Sequence, residues 1–196
     1  ILEKFRFDNL EIVDVYPAGD ASNVDFNDIE IGGIYIFNPK NTLETGLRSI
    51  KDIIIENTFI SRVGKLAIWL RHRNAGKDSE GNFVVGDAES NKIQDVIIRN
   101  NHTFETGGSG LVLSGGSKAL VEKNTFEFPG SDADPRMAAR GSGAWIFSSS
   151  HIILQHNKSL HARGQGDSYG YHIDYGNRHV IFQYNYSDDA EGGFVE

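Results

Sequence analysis

Three ionisable residues near the end of the sequence, His172, Asp174 and Glu196, share one surface if the segments that carry them are strands. His172 and Asp174 stand at i and i+2, which puts them on one face of a strand about 6.6 to 7 Å apart. Glu196 ends a second strand-like run, and one strand spacing along it would lie about 4.8 Å from His172 at backbone level. A histidine among carboxylates is equipped for acid–base work: one carboxyl group donates a proton, another acts as base or nucleophile, and crowded like charges favour the protonated form of one of them. Asp167 precedes this pair in a loop, and Asp188 and Asp189 follow it in the run SDDAEGG. The candidate catalytic residues are therefore His172, Asp174, Glu196, Asp167 and Asp189. Arg163, Tyr169 and Asp188 stand beside them as substrate-binding candidates.

What would position these residues is a repeat. An eight-residue phrase ending in Asn returns five times: IKDIIIEN at Asn57, IQDVIIRN at Asn100, SKALVEKN at Asn124, SHIILQHN at Asn157 and RHVIFQYN at Asn185. The spacing is a unit of roughly 25 residues plus insertions, in the range of solenoids. Each phrase carries a short β-branched apolar run, too short for a helix and suited to a strand. A second strand follows with alternating residues, as in GGIYIF, SGLVLS, SGAWIF and YGYHID, so two strands per coil are expected. The terminal Asn suits a bend, because its side chain bonds nearby backbone and tolerates left-handed dihedrals. Stacked coil on coil, these residues would form an amide ladder with rungs about 4.8 Å apart. The expected fold is all-β, a right-handed parallel β-helix (solenoid), with residues 1–196 as a single domain and as a segment of a longer β-helix.

Aligning the second strands by inward residues (Ile34, Ala67, Leu111, Ala144, Tyr171, Val195) gives an outward column of Tyr35, Ile68, Val112, Trp145, His172 and Glu196. The next outward column is Phe37, Leu70, Ser114, Phe147 and Asp174. Polarity rises along both towards the candidate catalytic residues. Trp145 and Phe147, the aromatic neighbours, are platforms for sugar rings, whose C–H faces pack on aromatic surfaces. Length variation between coils maps to loops on a binding side. The insertions 71–92, 127–142 and 161–169 are expected to wall a groove over the second strands.

Composition excludes several classes. With 196 residues, 39% hydrophobic content, 22 Gly and 4 Pro, the chain can bury a continuous core and turn often. A net charge of -8 with scattered Lys and Arg argues against nucleic acid as a partner. No apolar run is long enough to span a membrane, and the absence of Cys excludes thiol catalysis and thiolate metal sites. No metal site is assigned; Asp132 and Asp134 in SDADP look like a fragment of a calcium loop without its full pattern, and calcium is the single cofactor candidate.

The stretch GQGDSYGYHIDYGNRHVIFQYNYSDDAEGGFVE resembles a signature of bacterial right-handed β-helix proteins from carbohydrate-degrading systems. It runs from a Gly-Asp-Ser loop (Gly166, Asp167, Ser168) through a His-Ile-Asp strand (His172, Ile173, Asp174) to a Gly-Gly-Phe strand with Glu196. The resemblance implies a secreted or periplasmic protein acting on a polysaccharide. The polygalacturonase elements are missing except Asp188-Asp189, so their catalytic assignment does not transfer. Three readings follow. In a glycoside hydrolase, Asp174 or Glu196 would protonate the leaving oxygen while Asp167 or Asp189 activates water or attacks the sugar. In a polysaccharide lyase, His172 or Tyr169 would remove a proton from a uronic acid while Arg163 or calcium offsets its carboxylate. In a non-catalytic tailspike- or adhesin-like β-helix, the coils would serve as a rigid rod. The oligomeric state is not encoded in these patterns.

Overall fold

The computed structural model describes residues 1–19, 30–39, 49–72, 75–86 and 93–196. They wind through six coils of three strands each. The first two coils are β1 (Leu2–Asp8), β2 (Glu11–Val15), β3 (Gly32–Asn38), β4 (Ile50–Glu56), β5 (Phe59–Val63) and β6 (Leu66–His72). The middle two are β7 (Ile93–Arg99), β8 (His102–Thr106), β9 (Leu111–Ser114), β10 (Gly116–Glu122), β11 (Thr125–Pro129) and β12 (Ala144–Phe147). The last two are β13 (Ser150–Gln155), β14 (Lys158–Leu160), β15 (Tyr169–Ile173), β16 (Arg178–Gln183), β17 (Tyr186–Asp188) and β18 (Gly193–Val195).

Every third strand pairs in parallel, giving three six-stranded sheets: β1-β4-β7-β10-β13-β16, then β2-β5-β8-β11-β14-β17, then β3-β6-β9-β12-β15-β18. This is a right-handed parallel β-helix. The expectation of two strands per coil is corrected to three. The missed second-sheet strand starts directly after a two-residue turn and is as short as three residues in β14 and β17.

The core is built from stacked aliphatics. In the first sheet Ile53, Val96, Ala119 and Ile152 are in register and buried, as are Ile55, Ile98, Val121 and Leu154. Each fully buried Ile or Leu contributes about 1.5 to 3 kcal/mol relative to an exposed one. Inward room is tight where the third sheet approaches the second. A Cβ at Gly143 would lie 2.3 Å from Ser159 Oγ, and one at Gly170 would lie 2.2 Å from Ser187 Oγ, which is why a small residue opens these third-sheet strands.

Between the first and second sheets the chain always turns in two residues: Asn9-Leu10, Asn57-Thr58, Asn100-Asn101, Lys123-Asn124, His156-Asn157 and Tyr184-Asn185. The first of each pair is left-handed, with φ of 52° at Asn57 and 54° at Asn100. The amide ladder runs through the second: Asn101, Asn124, Asn157 and Asn185. Each asparagine Oδ1 accepts from the preceding rung's backbone N–H and Nδ2, at 3.0 Å for both bonds from Asn101 to Asn124. Each Nδ2 also donates to a first-sheet carbonyl, as Asn124 does to Ile98 at 2.9 Å. Asn57 and Asn100, expected in the ladder, instead occupy the exposed left-handed position one residue earlier. Thr58 takes the ladder position in the second coil and receives Asn101 Oδ1 at its N–H, 3.1 Å away.

The insertions fold back along the coils. Residues 75–86 pass beside the fourth and fifth coils: Gly76 N–H donates to Ser148 Oγ at 3.1 Å and Gly86 N–H to the Gly176 carbonyl at 2.6 Å. Residues 73–74 and 87–92 of the expected 71–92 insertion lie outside the described residues. Insertion 127–142 runs back towards the first coil, where the Arg136 guanidinium lies 3.8 Å over the Tyr16 ring.

Asp134, expected to be part of a calcium loop fragment, takes the same guanidinium through both carboxylate oxygens at 2.8 and 2.7 Å. Bonds from Arg136, side chain then backbone, hold Asp134 down to about 2. A depressed folded value means a contribution present above the ordinary carboxylate value of 3.8 and lost as pH falls through about 2. A carboxyl titration by NMR should find this low midpoint, and Arg136→Gln should raise it only part of the way to the ordinary range, because the backbone N–H bond remains.

Candidate active site

The third sheet presents its outer face to the insertions. Its register makes the outward column Tyr35, Trp69, Val112, Trp145 and His172, with Glu196 beyond β18. The next outward column is Phe37, Arg71, Ser114, Phe147 and Asp174. The expected second-coil members Ile68 and Leu70 are corrected to Trp69 and Arg71, and Ile68 replaces Ala67 in the inward column. The slip has a physical cause: Leu66 to Leu70 are all buried, so this strand carries no inside–outside alternation.

The rings on this face stack along the solenoid axis. Tyr35 lies on Trp69 at 4.3 Å between centroids, and Trp145 lies on the His172 imidazole at 5.1 Å and 7° between planes. Lys65 Nζ stands 5.0 Å over Trp69. Between these ends is a cleft of about 220 Å³ lined by Trp69, Arg71, Val112, Trp145, Phe147 and Tyr175. One wall comes from the 75–86 segment through Ala75 and Gly76, and Phe83 of that segment packs on Tyr175 at 4.1 Å. Burial first, and the Asp174 charge second, push the Tyr175 hydroxyl up, keeping it a neutral hydrogen-bonding group in that wall.

At the end of the cleft three carboxylates surround His172. Nε2 of the imidazole is 3.3 Å from Glu196 Oε2 and 3.7 Å from Asp174 Oδ2, while Nδ1 is 3.9 Å from Asp167 Oδ1. Asp174 is fixed by two donors, Trp145 Nε1–H to Oδ2 at 3.0 Å and Tyr175 N–H to Oδ1 at 2.6 Å. Asp167 Oδ2 accepts from Arg140 Nε at 2.9 Å and Nη2 at 2.5 Å. His172 is 5% exposed and its Nδ1 has no hydrogen-bond partner among the described residues. Tyr169 closes over it edge-on at 5.9 Å. The histidine is thus a buried spacer between carboxylates, joined to the cleft through Trp145, which lines the cleft and stacks on the imidazole. One ligand atom each from Asp167, His172 and Glu196 lie within 4.8 Å of one another, a set able to hold a small cation.

The remaining candidates are placed elsewhere. Asp189 is the left-handed corner residue of the last coil, with φ of 51°, and its side chain turns over His161 Nδ1 at 3.1 Å. Arg163 bonds the same carboxylate and the Asp189 carbonyl. Arg163, then His161, lowers the Asp189 carboxyl below its usual range. The Arg163–Asp189 pair therefore lies at the second–third sheet corner, not beside His172. Asp188 ends β17 on the second sheet, exposed. Arg140 was not foreseen, because it lies on an insertion whose return path no periodicity encodes. It reaches Asp167 because residues 139–142 pair with the 161–169 loop: Arg140 bridges Gly164, and Ser142 Oγ–H donates to the Asp167 carbonyl at 2.6 Å.

No protein-family model matches the chain, and no curated protein matches it in sequence. Its fold is similar to crystal structures of the GH136 lacto-N-biosidase from Eubacterium ramulus, both the native protein and a selenomethionine derivative. Each superposes with a TM-score of 0.71 at 22% identity, covering 99% of this chain and 32% of the other. The chain thus spans about a third of the length of that protein. At this identity the likeness establishes the parallel β-helix.

Proposed function

We propose that this chain is the β-helical part of a glycoside hydrolase whose catalytic carboxylates are Asp167 and Asp174. The observation that carries the reading is that two acids, each anchored by its own donors, flank one buried imidazole at the end of an aromatic cleft. The similarity in fold to a lacto-N-biosidase supports it.

Asp167, paired with Arg140, is the anionic member: it attacks the anomeric carbon or activates water there. Asp174 lies in the floor column beside Phe147, where a bound sugar rests, and protonates the leaving oxygen. Glu196, more exposed and in contact with His172, orients the imidazole between the two acids. Catalytic hydrogen bonds are often long before substrate binds, and the Asp167–His172 gap of 3.9 Å is of that kind. Trp145 and Phe147 stack on sugar rings, and the outward columns from the first coil to the fifth span four strand spacings, about 19 Å, room for a short oligosaccharide.

Burial of His172 disfavours elimination, because a base that removes a sugar proton must reach it. The Arg163–Asp189 pair also takes up one of the two cations that the lyase reading offered, leaving calcium to offset a substrate carboxylate. The test is a panel of neutral and acidic glycans, lacto-N-biosides among them, with and without chelator, read by reducing ends and ultraviolet absorbance. New reducing ends without unsaturated product are expected, insensitive to chelator. Turnover with an unsaturated product would establish elimination instead, and no turnover with any glycan would leave the rod reading standing. Phe147→Ala should raise KM about tenfold, the loss of about 1.4 kcal/mol of ring stacking, while kcat stays within about threefold.

A further inference from the structure

The outer face of the first sheet is far from the candidate site and bears a stripe of aliphatic side chains. Ile54, Ile97, Leu120, Ile153 and Ile181 stand in register on five consecutive strands. None of the five is in the buried core, Ile181 is 50% exposed, and an apolar groove of about 540 Å³ opens along the first four. Six strands make this face about 24 Å along the axis, a size suited to one side of a stable protein interface.

The residues flanking the stripe are not random in charge. On one side the column reads Lys4, Asp52, Asp95, Lys118, His151 and His179, all left-handed residues protruding at one height. On the other side Glu56, Arg99, Glu122 and Gln155 follow in register. Strands β7 and β10 are the middle pair of this sheet. A two-fold axis lying along the strands between them exchanges β7 with β10 and β4 with β13 while preserving position along the strand. It sets stripe on stripe, Asp95 on Lys118, Asp52 on His151 and Arg99 on Glu122. Arg99 keeps its own-chain pair with Glu56 at 2.7 Å, and Glu122 its bond from Gln155 at 2.8 Å. The alternative two-fold, parallel to the solenoid axis along the stripe, sets Asp95 on Arg99 and Lys118 on Glu122 but also Asp52 on Glu56, a like-charge pair that repulsion disfavours.

We infer that this face binds a second copy of the chain, the two solenoids antiparallel and the first sheets packed face to face. Closed two-fold pairing needs a self-complementary patch, and about this centre Asp95 meets Lys118, Asp52 meets His151 and Arg99 meets Glu122, while Lys4 on His179 and Glu56 on Gln155 add no opposite-charge pair.

Sedimentation velocity of the full chain up to about 100 µM should show a dimer, as a standard-sized interface predicts. Leu120→Lys should give a monomer with unchanged circular dichroism, since the side chain points outward. Asp95→Lys and Lys118→Asp should each weaken the dimer about tenfold, and the two together should restore it to within about threefold. A wild-type chain that stays monomeric overturns the inference, meaning that this face is covered by something other than its own copy. A dimer indifferent to Leu120→Lys, or a double swap that fails to restore pairing, overturns it as well.

Discussion

Replacing Asp174 by Asn should lower kcat by about two to four orders of magnitude, the range of a lost general acid, while the fold is retained. The amide is isosteric, but its single oxygen keeps only one of the Trp145 and Tyr175 N–H bonds, which reach different carboxylate oxygens, so positioning is partly kept while proton donation is lost. Asp167→Asn should be as severe, because the amide cannot act as an anion even though its oxygen can still accept both Arg140 bonds, which reach Oδ2 alone. Glu196→Gln should cost far less, about tenfold, if its part is to hold His172. Initial rates with a substrate from the glycan panel decide the matter. Proton NMR of the first-formed sugar distinguishes attack from water activation, since a covalent intermediate retains the anomeric configuration and direct attack by water inverts it. A loss confined to Glu196→Gln, with Asp174→Asn near wild type, would move the acid role to Glu196.

The second large effect concerns stability. Asn124→Ala should cost about 3 kcal/mol and lower Tm by roughly 6 to 12 °C. Asn124 is 1% exposed, and its amide serves the Asn101 backbone and side chain, the Ile98 carbonyl and the Asn157 oxygen. Truncation leaves the buried Asn101 N–H without its acceptor, costing about 1 to 3 kcal/mol, and removes the amide bonds to Asn101 Nδ2, the Ile98 carbonyl and Asn157 Oδ1. Asn100→Gly is the control: Asn100 is exposed with φ of 54°, glycine accepts that dihedral without strain, and a change within about 0.5 kcal/mol is expected. Equal losses at the two positions in thermal melts would mean that the ladder is no more than a series of turns.

The first sheet was readable because its strands carry dense aliphatic runs closed by asparagine, two signals with independent physical causes. The ladder was legible only to within one residue, since Asn100-Asn101 offers two asparagines and only burial tells a rung from a bend. The second sheet escaped because β14 and β17 are three residues long, with no span over which alternation could register. His172, Asp174 and Glu196 could be placed together because strand geometry alone fixes i, i+2 and one rung along. The placement of Asp189 at a left-handed corner, paired with Arg163, could not be read, because such geometry is invisible in a run that reads as an ordinary acidic turn. Arg140 depends on a long insertion doubling back, which is tertiary information.

The two-residue bend between the first and second sheets never varies, whereas both seams of the third sheet hold every insertion. Loops there can be lengthened, exchanged or grafted at little thermodynamic expense, about 0.6 kcal/mol for each doubling in length, without shifting the asparagine stack. The scaffold therefore separates inheritance of its architecture from diversification of its recognition surface. Redesign of selectivity belongs at those two seams, and not at the amide-bearing edge.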